Sequence, residues 1–300
     1  ELGYRILVGG GLGRTPVIGT EIRAFLPEED LLTYLDAVIR VYNQFGRRDN
    51  KYKARIKILV KALGVDRMRE LVQEEFNRLK DGEGKLTQAE LERVKQHFID
   101  PEYKTLSDNP IELTAAKEEN KAFSRWMERN VRQHKKAGYA VVTLTLKQIG
   151  TPPGDITAEQ LDQVADLADE YSFGELRSTH NQNLVLADVE QTELFGLWQK
   201  LKSLGMATPT LGLLTDMICC PGGDFCALAN AKSIPVAEAI QARFENLDYL
   251  WDLGEIDLNI SGCMNACGHH HVGNIGVLGV DKKGEEFYQI SLGGSAAGNN

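Results

Sequence analysis

The apolar positions change period several times along the chain, and each change predicts an element. Residues 4–8 (YRILV) are a short apolar run that predicts a buried strand leading into Gly9, Gly10, Gly11 and Gly13. From Leu31 to Phe45 the apolar residues Leu32, Leu35, Val38, Ile39 and Tyr42 return at helical spacing. Farther on, Tyr52, Ile56, Leu59, Val60 and Leu63 follow the same period, which predicts a helix beginning near Asp49 or Asn50 and capped by Gly64. Residues 66–135 are charged and helix-rich. Gly82 and Gly84 interrupt them before Thr87 and Glu90 open another helix as a capping box.

After Gly138 the texture becomes β-branched and alternating: YAVVTLTL predicts a strand, and Gly154-Asp155 leads into a helix from Thr157 to about Glu170 with Gln160 completing its cap. LRSTHNQNLVLADV then gives a second strand region and ELFGLWQKLKSLG a second helix. Strand, helix, strand, helix with short links predicts a compact α+β unit of the ferredoxin-like sort. The early glycines read GGGLG rather than GxGxxG, and no βαβ unit follows, so a dinucleotide fold is not predicted. Asp81, Glu83 and Lys85 resemble the start of a calcium loop, but Leu86 occupies the sixth position, where glycine is needed. No low-complexity stretch appears until the terminal GGSAAGNN.

Composition narrows the function classes. With 300 residues the chain has the length of about two domains, and a core of that size needs no metal to fold, so a metal site in it points to chemistry. No apolar run approaches the ~20 residues that span a bilayer. The opening ELGYRILVGGG has neither an initiator Met nor a signal-peptide pattern, which suggests an internal start. A formal charge of -9 argues against a nucleic-acid coat or a polybasic membrane anchor, while a local basic pocket for a small anion stays open. The five cysteines are bunched toward the C-terminal end. That pattern fits metal ligation in a reducing, cytoplasmic setting better than a disulfide framework.

Cys220 and Cys226 have five residues between them, Cys263 and Cys267 have three, and 36 residues separate the pairs. Two local thiolate pairs from distant segments suit a cubane iron-sulfur cluster, whose irons occupy separate corners. Zinc knuckles close with two to four intervening residues, so zinc is the alternative on spacing alone, followed by incidental buried cysteines. Cys219 is left over as a packed thiol beside the site. Gly262 and Gly268 flank the second pair and let backbone N–H groups approach the sulfurs. His269, His270 and His271 cannot converge on one ion without strain; one or two of them are expected to hydrogen-bond a neighbouring anionic group or cofactor.

The run from Arg47 to Lys57 holds six basic residues and one acid. A solvated helix face is the bland account. Cations at a helix N-terminus oppose the dipole and cost stability, however, and that arrangement points to an anionic partner.

GCMNACG, placed after CCPGGDFCALA, resembles the signature of the sirohaem-dependent nitrite and sulfite reductases, whose usual form is GCPNxCG. LRSTHNQNL resembles that family's LRxTxxQ strand, and RRDNKYKARIK its basic RxNRxxARxK segment, all in family order. The resemblance implies an α+β fold with a ferredoxin-like half-domain and a cofactor domain of the nitrite/sulfite reductase type. Residues 1–65 would be the end of a first sirohaem-binding domain, 66–135 a helical link, 136–210 the ferredoxin-like half, and 211–300 a truncated 4Fe-4S and sirohaem-binding domain. Family members are about twice as long and built from two related halves, so the chain would be a fragment lacking the N-terminal half.

The resemblance also implies roles. Cys220, Cys226, Cys263 and Cys267 would hold a 4Fe-4S cluster, with Cys267 also bridging to the sirohaem iron, and Asn265 would lie within the cofactor-binding motif. Arg55 and Lys57 match the basic positions that face the open side of that iron and would bind the oxyanion. Arg48, Asn50 and Lys51 would contact sirohaem carboxylates, Gln182 and Asn183 would line the cofactor crevice, and GGGLGRT would be a loop near it. Residues two apart on a helix point about 200° apart, so if Arg55 and Lys57 share one anion, the helix must start late or the segment must be partly extended. Plant-type nitrite-reducing relatives carry asparagine at the second position and sulfite-reducing relatives lysine, so Lys57 implies six-electron reduction of sulfite to sulfide. Nitrite reduction to ammonia is the alternative, and a zinc-stabilised, non-catalytic binding module is the alternative of another class. Ferredoxin and a flavoprotein are both compatible electron donors.

Overall fold

The strand predicted at residues 4–8 is β1 (Gly3–Val8), and it pairs antiparallel with β2 (Thr20–Pro27) across the glycine-rich loop. The structure is a computed structural model that describes residues 2–82 and 85–295; Glu83, Gly84 and the end of the terminal glycine-rich tail lie outside the described residues. The chain divides into two compact units, 1–100 and 101–300, with the boundary inside the stretch read as a helical link.

In the first unit β1 and β2 are followed by α1 (Leu31–Phe45), α2 (Ile56–Leu63), α3 (Val65–Leu79) and α4 (Gln88–Lys95). Ile6, Val8, Ile22 and Leu26 from the strands pack with Tyr34, Val38 and Val41 of α1 and with Met68, Val72 and Phe76 of α3. The buried face of α1 is therefore the Tyr34, Ala37, Val38, Val41 face, and Leu32, Leu35 and Ile39 stay exposed. Helical spacing alone does not choose between two apolar stripes.

Two further expectations shift. The helix predicted from Asp49 or Asn50 begins instead at Ile56, with Arg55 as an extended N-cap. The Tyr52 N–H donates to the Asn50 side-chain oxygen at 3.0 Å, a local turn that competes with the helix, and Tyr52 is 79% exposed and so adds no buried face to one. At α4 the Thr87 hydroxyl accepts from the Glu90 N–H, but the Glu90 carboxylate pairs with Arg93, so only half of the capping box forms.

The second unit opens with α5 (Ile111–Glu119), α6 (Lys121–Asn130), β3 (Val131–Gln133) and β4 (Tyr139–Leu144). Next come α7 (Ala158–Tyr171), β5 (Leu176–Ser178), β6 (Leu184–Glu190) and α8 (Leu194–Ser203). The capping box of Thr157 and Gln160 forms in full at α7. The strand region read from LRSTHNQNLVLADV is two strands: it folds back at Thr179–Asn183, so that β5 and β6 pair antiparallel. An antiparallel sheet in the order β3-β4-β6-β5 results. Val142, Leu144, Leu186 and Val189 of its strands pack with Val164 of α7 and Leu194, Leu197 and Leu201 of α8. Each fully buried leucine there contributes ~2 kcal/mol of transfer free energy.

The remainder of this unit is β7 (Ile218–Cys219), α9 (Gly222–Phe225), α10 (Ile234–Arg243), α11 (Leu247–Leu253), β8 (Leu258–Ser261), β9 (Ile275–Lys282) and β10 (Glu285–Leu292). Its sheet runs β10-β9-β8-β7, with β7, β8 and β9 parallel and β10 antiparallel to β9. The fold is thus α+β. Among the described residues no helix is long and apolar enough to cross a membrane.

Candidate cofactor site

Two adjacent parallel strands deliver the cysteines. Cys220 follows β7 directly and Cys226 closes the short α9, while Cys263 and Cys267 lie on the loop that leaves β8. Parallel pairing puts both strand ends on the same side of the sheet, where ligands of open α/β sheets collect. The two cysteine pairs, 36 residues apart in sequence, therefore become neighbours.

Backbone geometry shapes this pocket. The Gly262 N–H donates to the Cys220 sulfur at 3.0 Å, and the Ser233 hydroxyl lies 3.4 Å from that sulfur. A Cβ on Gly262 would lie 2.7 Å from the Ala231 carbonyl and 2.8 Å from the Gly222 Cα. Only glycine lets these loops approach so closely. Ala266 and His269 hold left-handed φ values of 59° and 57°, a conformation that costs a non-glycine residue ~1 kcal/mol or more and persists where the surroundings over-determine it.

Burial raises the pKa of Cys267, and Cys220, Cys263 and Cys226 raise it further. Four thiolates so placed repel one another and need a cationic centre among them. Among the described residues no group of three or more His, Cys, Asp or Glu side chains could close on a single ion. Cys219 differs: it is buried, and that burial pushes its thiol up to about 12, so it stays neutral. His270 is buried with both ring nitrogens unpartnered among the described residues, and burial with the neighbouring His271 lowers it to about 4. Its hydrogen-bonding capacity is unspent. Asn265 is exposed.

Gln182 and Asn183, expected to line a crevice, have their amides committed to protein groups. Gln182 bonds the backbone of Cys219, and Asn183 accepts from the Leu146 N–H and donates to Asp216. Sequence reading missed Lys147, Asp216 and Ser233. The Lys147 side chain is buried, and its ammonium donates to the carbonyls of Asn181 and Gln182; burial brings its pKa down to about 8, while nearby Asp216 is raised by its own burial. A lysine directly after the alternating YAVVTLTL was the available signal; Ser233 offered none.

The basic segment lies in the first unit. Arg47 pairs with Asp49, Arg48 donates to Asn43 and stacks over Tyr42, and the Lys51 ammonium sits over Tyr52. Arg55 is exposed on its extended backbone. The late helix start is the condition under which Arg55 and Lys57 could serve one anion. Lys57 reaches the glycine-rich loop, donating to the carbonyls of Leu12 and Thr15 at 2.9 Å each. Lys57→Met should therefore destabilise that loop by about 2 kcal/mol. Faster amide exchange at Gly11 and Val17, which bond each other across the loop, is the expected sign; unchanged protection would show that Lys57 does not hold the loop.

Comparison with known proteins places this geometry. Residues 1–80 match the family described as nitrite and sulphite reductase 4Fe-4S domain, and residues 132–204 match the nitrite/sulfite reductase ferredoxin-like half domain. The chain belongs to the nitrite and sulfite reductase family. This family member is 27% identical to sulfite reductase [ferredoxin] 2 of Mycolicibacterium paratuberculosis, covering 98% of the chain and 47% of the relative. It is also 27% identical to the chloroplastic ferredoxin–nitrite reductase of Arabidopsis thaliana, covering 95% of the chain and 43% of the relative. The structure of Mycobacterium tuberculosis NirA protein superposes with a TM-score of 0.68 at 26% identity, over 98% of the chain and 48% of that structure. The chain thus spans about half the length of the curated relatives it matches. The half-domain match coincides with the β3 to α8 sheet unit. The first matched stretch contains no cysteine; all five lie beyond both stretches. With the family come its cofactors, sirohaem and a 4Fe-4S cluster. Two cysteine pairs at adjacent strand ends, a glycine cradle, an N–H aimed at sulfur and an orphaned buried imidazole all fit such a group.

Proposed function

We propose that the chain is part of an enzyme that reduces sulfite to sulfide by six electrons, with Cys220, Cys226, Cys263 and Cys267 holding the 4Fe-4S cluster and Cys267 shared with the sirohaem iron. The observation that carries this reading is the delivery of both cysteine pairs by the ends of two adjacent parallel strands, with the N–H of Gly262, beside Cys263, bonded to the Cys220 sulfur. When bound, the coupled cofactors supply single electrons and an iron that holds the substrate.

The chain's own residues would bind, orient and protonate. Arg55 offers a planar, permanently charged fork to an oxyanion. Lys57 has three ammonium donors and spends two on loop carbonyls, which leaves the third for an anion. Lysine can also give up a proton as oxygens leave. Arg48, Asn50 and Lys51 would steady sirohaem carboxylates by charge and hydrogen bonds. The cysteines act as reduced ligands, which supports a cytoplasmic setting, and a ferredoxin donor is supported by the printed names of the relatives.

Competing kinetics on the purified holoprotein test the substrate. A higher kcat/KM for sulfite than for nitrite is expected, and Lys57→Asn should move the ratio toward nitrite. Nitrite reduction to ammonia is the second reading, because a nitrite-reducing relative matches as well as a sulfite-reducing one. Faster nitrite turnover, untouched by Lys57→Asn, would establish it. A colourless, zinc-containing protein would remove both readings.

A further inference from the structure

We propose that Gln182 is a positioning residue for the cluster: its side-chain amide acts as the outer partner of β7 and thereby fixes where the Cys220 sulfur stands. The inference rests on the reading of Cys220 as a cluster ligand.

β7 is only two residues long and forms an end of its sheet. On its inner side it pairs with β8, Cys219 opposite Ile260, and the Cys220 N–H donates to the Ile260 carbonyl at 3.1 Å. Alternation along a strand then turns the Cys219 N–H and C=O outward, where an edge leaves them bare. Cys219 is buried, so water cannot satisfy them. Gln182 takes both: the Cys219 N–H donates to its Oε1 at 2.9 Å, and its Nε2 donates to the Cys219 carbonyl at 2.8 Å. A carboxamide presents a donor and an acceptor side by side, as a neighbouring strand would. One side chain from the β5–β6 turn thus supplies a one-residue strand to the other sheet.

The turn is built to hold that side chain. Gln182 has a left-handed φ of 58°, and its N–H donates to the Thr179 carbonyl at 3.2 Å. The Lys147 ammonium clasps the carbonyls of Asn181 and Gln182 at 2.9 and 3.2 Å. A Cβ on Gly154 would lie 2.8 Å from the Gln182 Cβ, so that glycine makes the room the side chain needs. The peptide gripped by Gln182 precedes Cys220, whose sulfur accepts from Gly262 at 3.0 Å. Without the amide, that peptide can rotate and carry the sulfur off its N–H donor, and hydrogen bonds to cluster sulfurs help set the potential.

The test compares wild type, Gln182→Leu and Gln182→Glu as holoproteins, read by iron content, the EPR signature of the reduced cluster, its midpoint potential and its lifetime in air. Gln182→Leu keeps the bulk and loses both bonds. It is expected to alter the EPR signature and potential and to shorten the cluster's lifetime about thirtyfold or more, the scale of two unmet buried groups. Gln182→Glu supplies a rescue: a protonated carboxyl can accept from the Cys219 N–H and donate to its carbonyl, whereas the carboxylate has no donor. Its signature should match wild type at low pH and the leucine variant at high pH. The charged or titrating neighbours, Lys147, Asp155, Asp216, Asp224, Cys219 and Cys220, are present in wild type too, so a wild-type titration over the same range is the blank. A glutamate variant that differs from wild type at low pH, where its protonated carboxyl restores both bonds, would overturn the inference even if the leucine variant failed to fold. A wild-type protein that takes up no iron would overturn the cluster reading beneath it.

Discussion

Replacing Cys263 with serine is expected to lower the iron content of the holoprotein at least about tenfold and to bleach its visible absorption, while the β3-β4-β6-β5 half keeps its fold. Cys263 is the most buried of the four proposed ligands, so water is poorly placed to replace a missing thiolate there. A serine hydroxyl does not ionise near neutral pH as a thiol does, and it binds iron far less well than a soft thiolate. Cys219→Ser is the matched control, because the neutral Cys219 thiol bonds a backbone carbonyl and belongs to no cluster corner. Iron analysis and absorption measure the loss, and far-UV circular dichroism checks the fold. A fully loaded Cys263→Ser protein would remove Cys263 from the ligand set.

Gly268→Ala is expected to destabilise the second unit by about 3 kcal/mol or more, a large cost for adding one methyl group. The new Cβ would stand 1.9 Å from the Ile260 carbonyl oxygen and 2.7 Å from its carbon. These are backbone atoms that cannot swing aside. The same oxygen accepts the Cys220 N–H, so relief of the clash has to break the pairing that delivers the first cysteine. Melting should fall by roughly 6–12 °C for a unit of this size, with loss of iron in parallel. A shift under about 1 °C would show that the loop after β8 yields freely.

The sequence was most readable where a local rule and a global need agree. Thr157 and Gln160 close their capping box, and Gly64 ends α2 with a left-handed φ of 80°, because caps are settled within a few residues. The cysteine pattern offered candidate ligands for a chemical reason: thiols grouped in local pairs outside a disulfide framework point to metal ligation. Less was legible where two local rules compete. The Asn50 turn defeated the helical period that began at Tyr52, and α1 carries apolar residues on two faces, only one of which meets β1 and β2. Least legible were bonds between distant segments. Nothing near Gln182 in sequence shows that its amide will meet Cys219, 37 residues away, and nothing near Lys57 shows that loop carbonyls will orient it.

The parallel pairing of β7 and β8 also sets an order of events during synthesis. Cys220 and Cys226 leave the ribosome well before Cys263 and Cys267, and the strands that unite them cannot pair until α10 and α11 have been made. Parallel pairs form late, since a long connection must close before any contact rewards it. The first two thiols therefore wait, reduced and exposed, for the next forty or so residues of their own unit. Iron captured before then would be held by half of the proposed ligand set, so loading of the proposed cluster would have to follow closure of the sheet, and the colour of a loaded protein would report a completed fold.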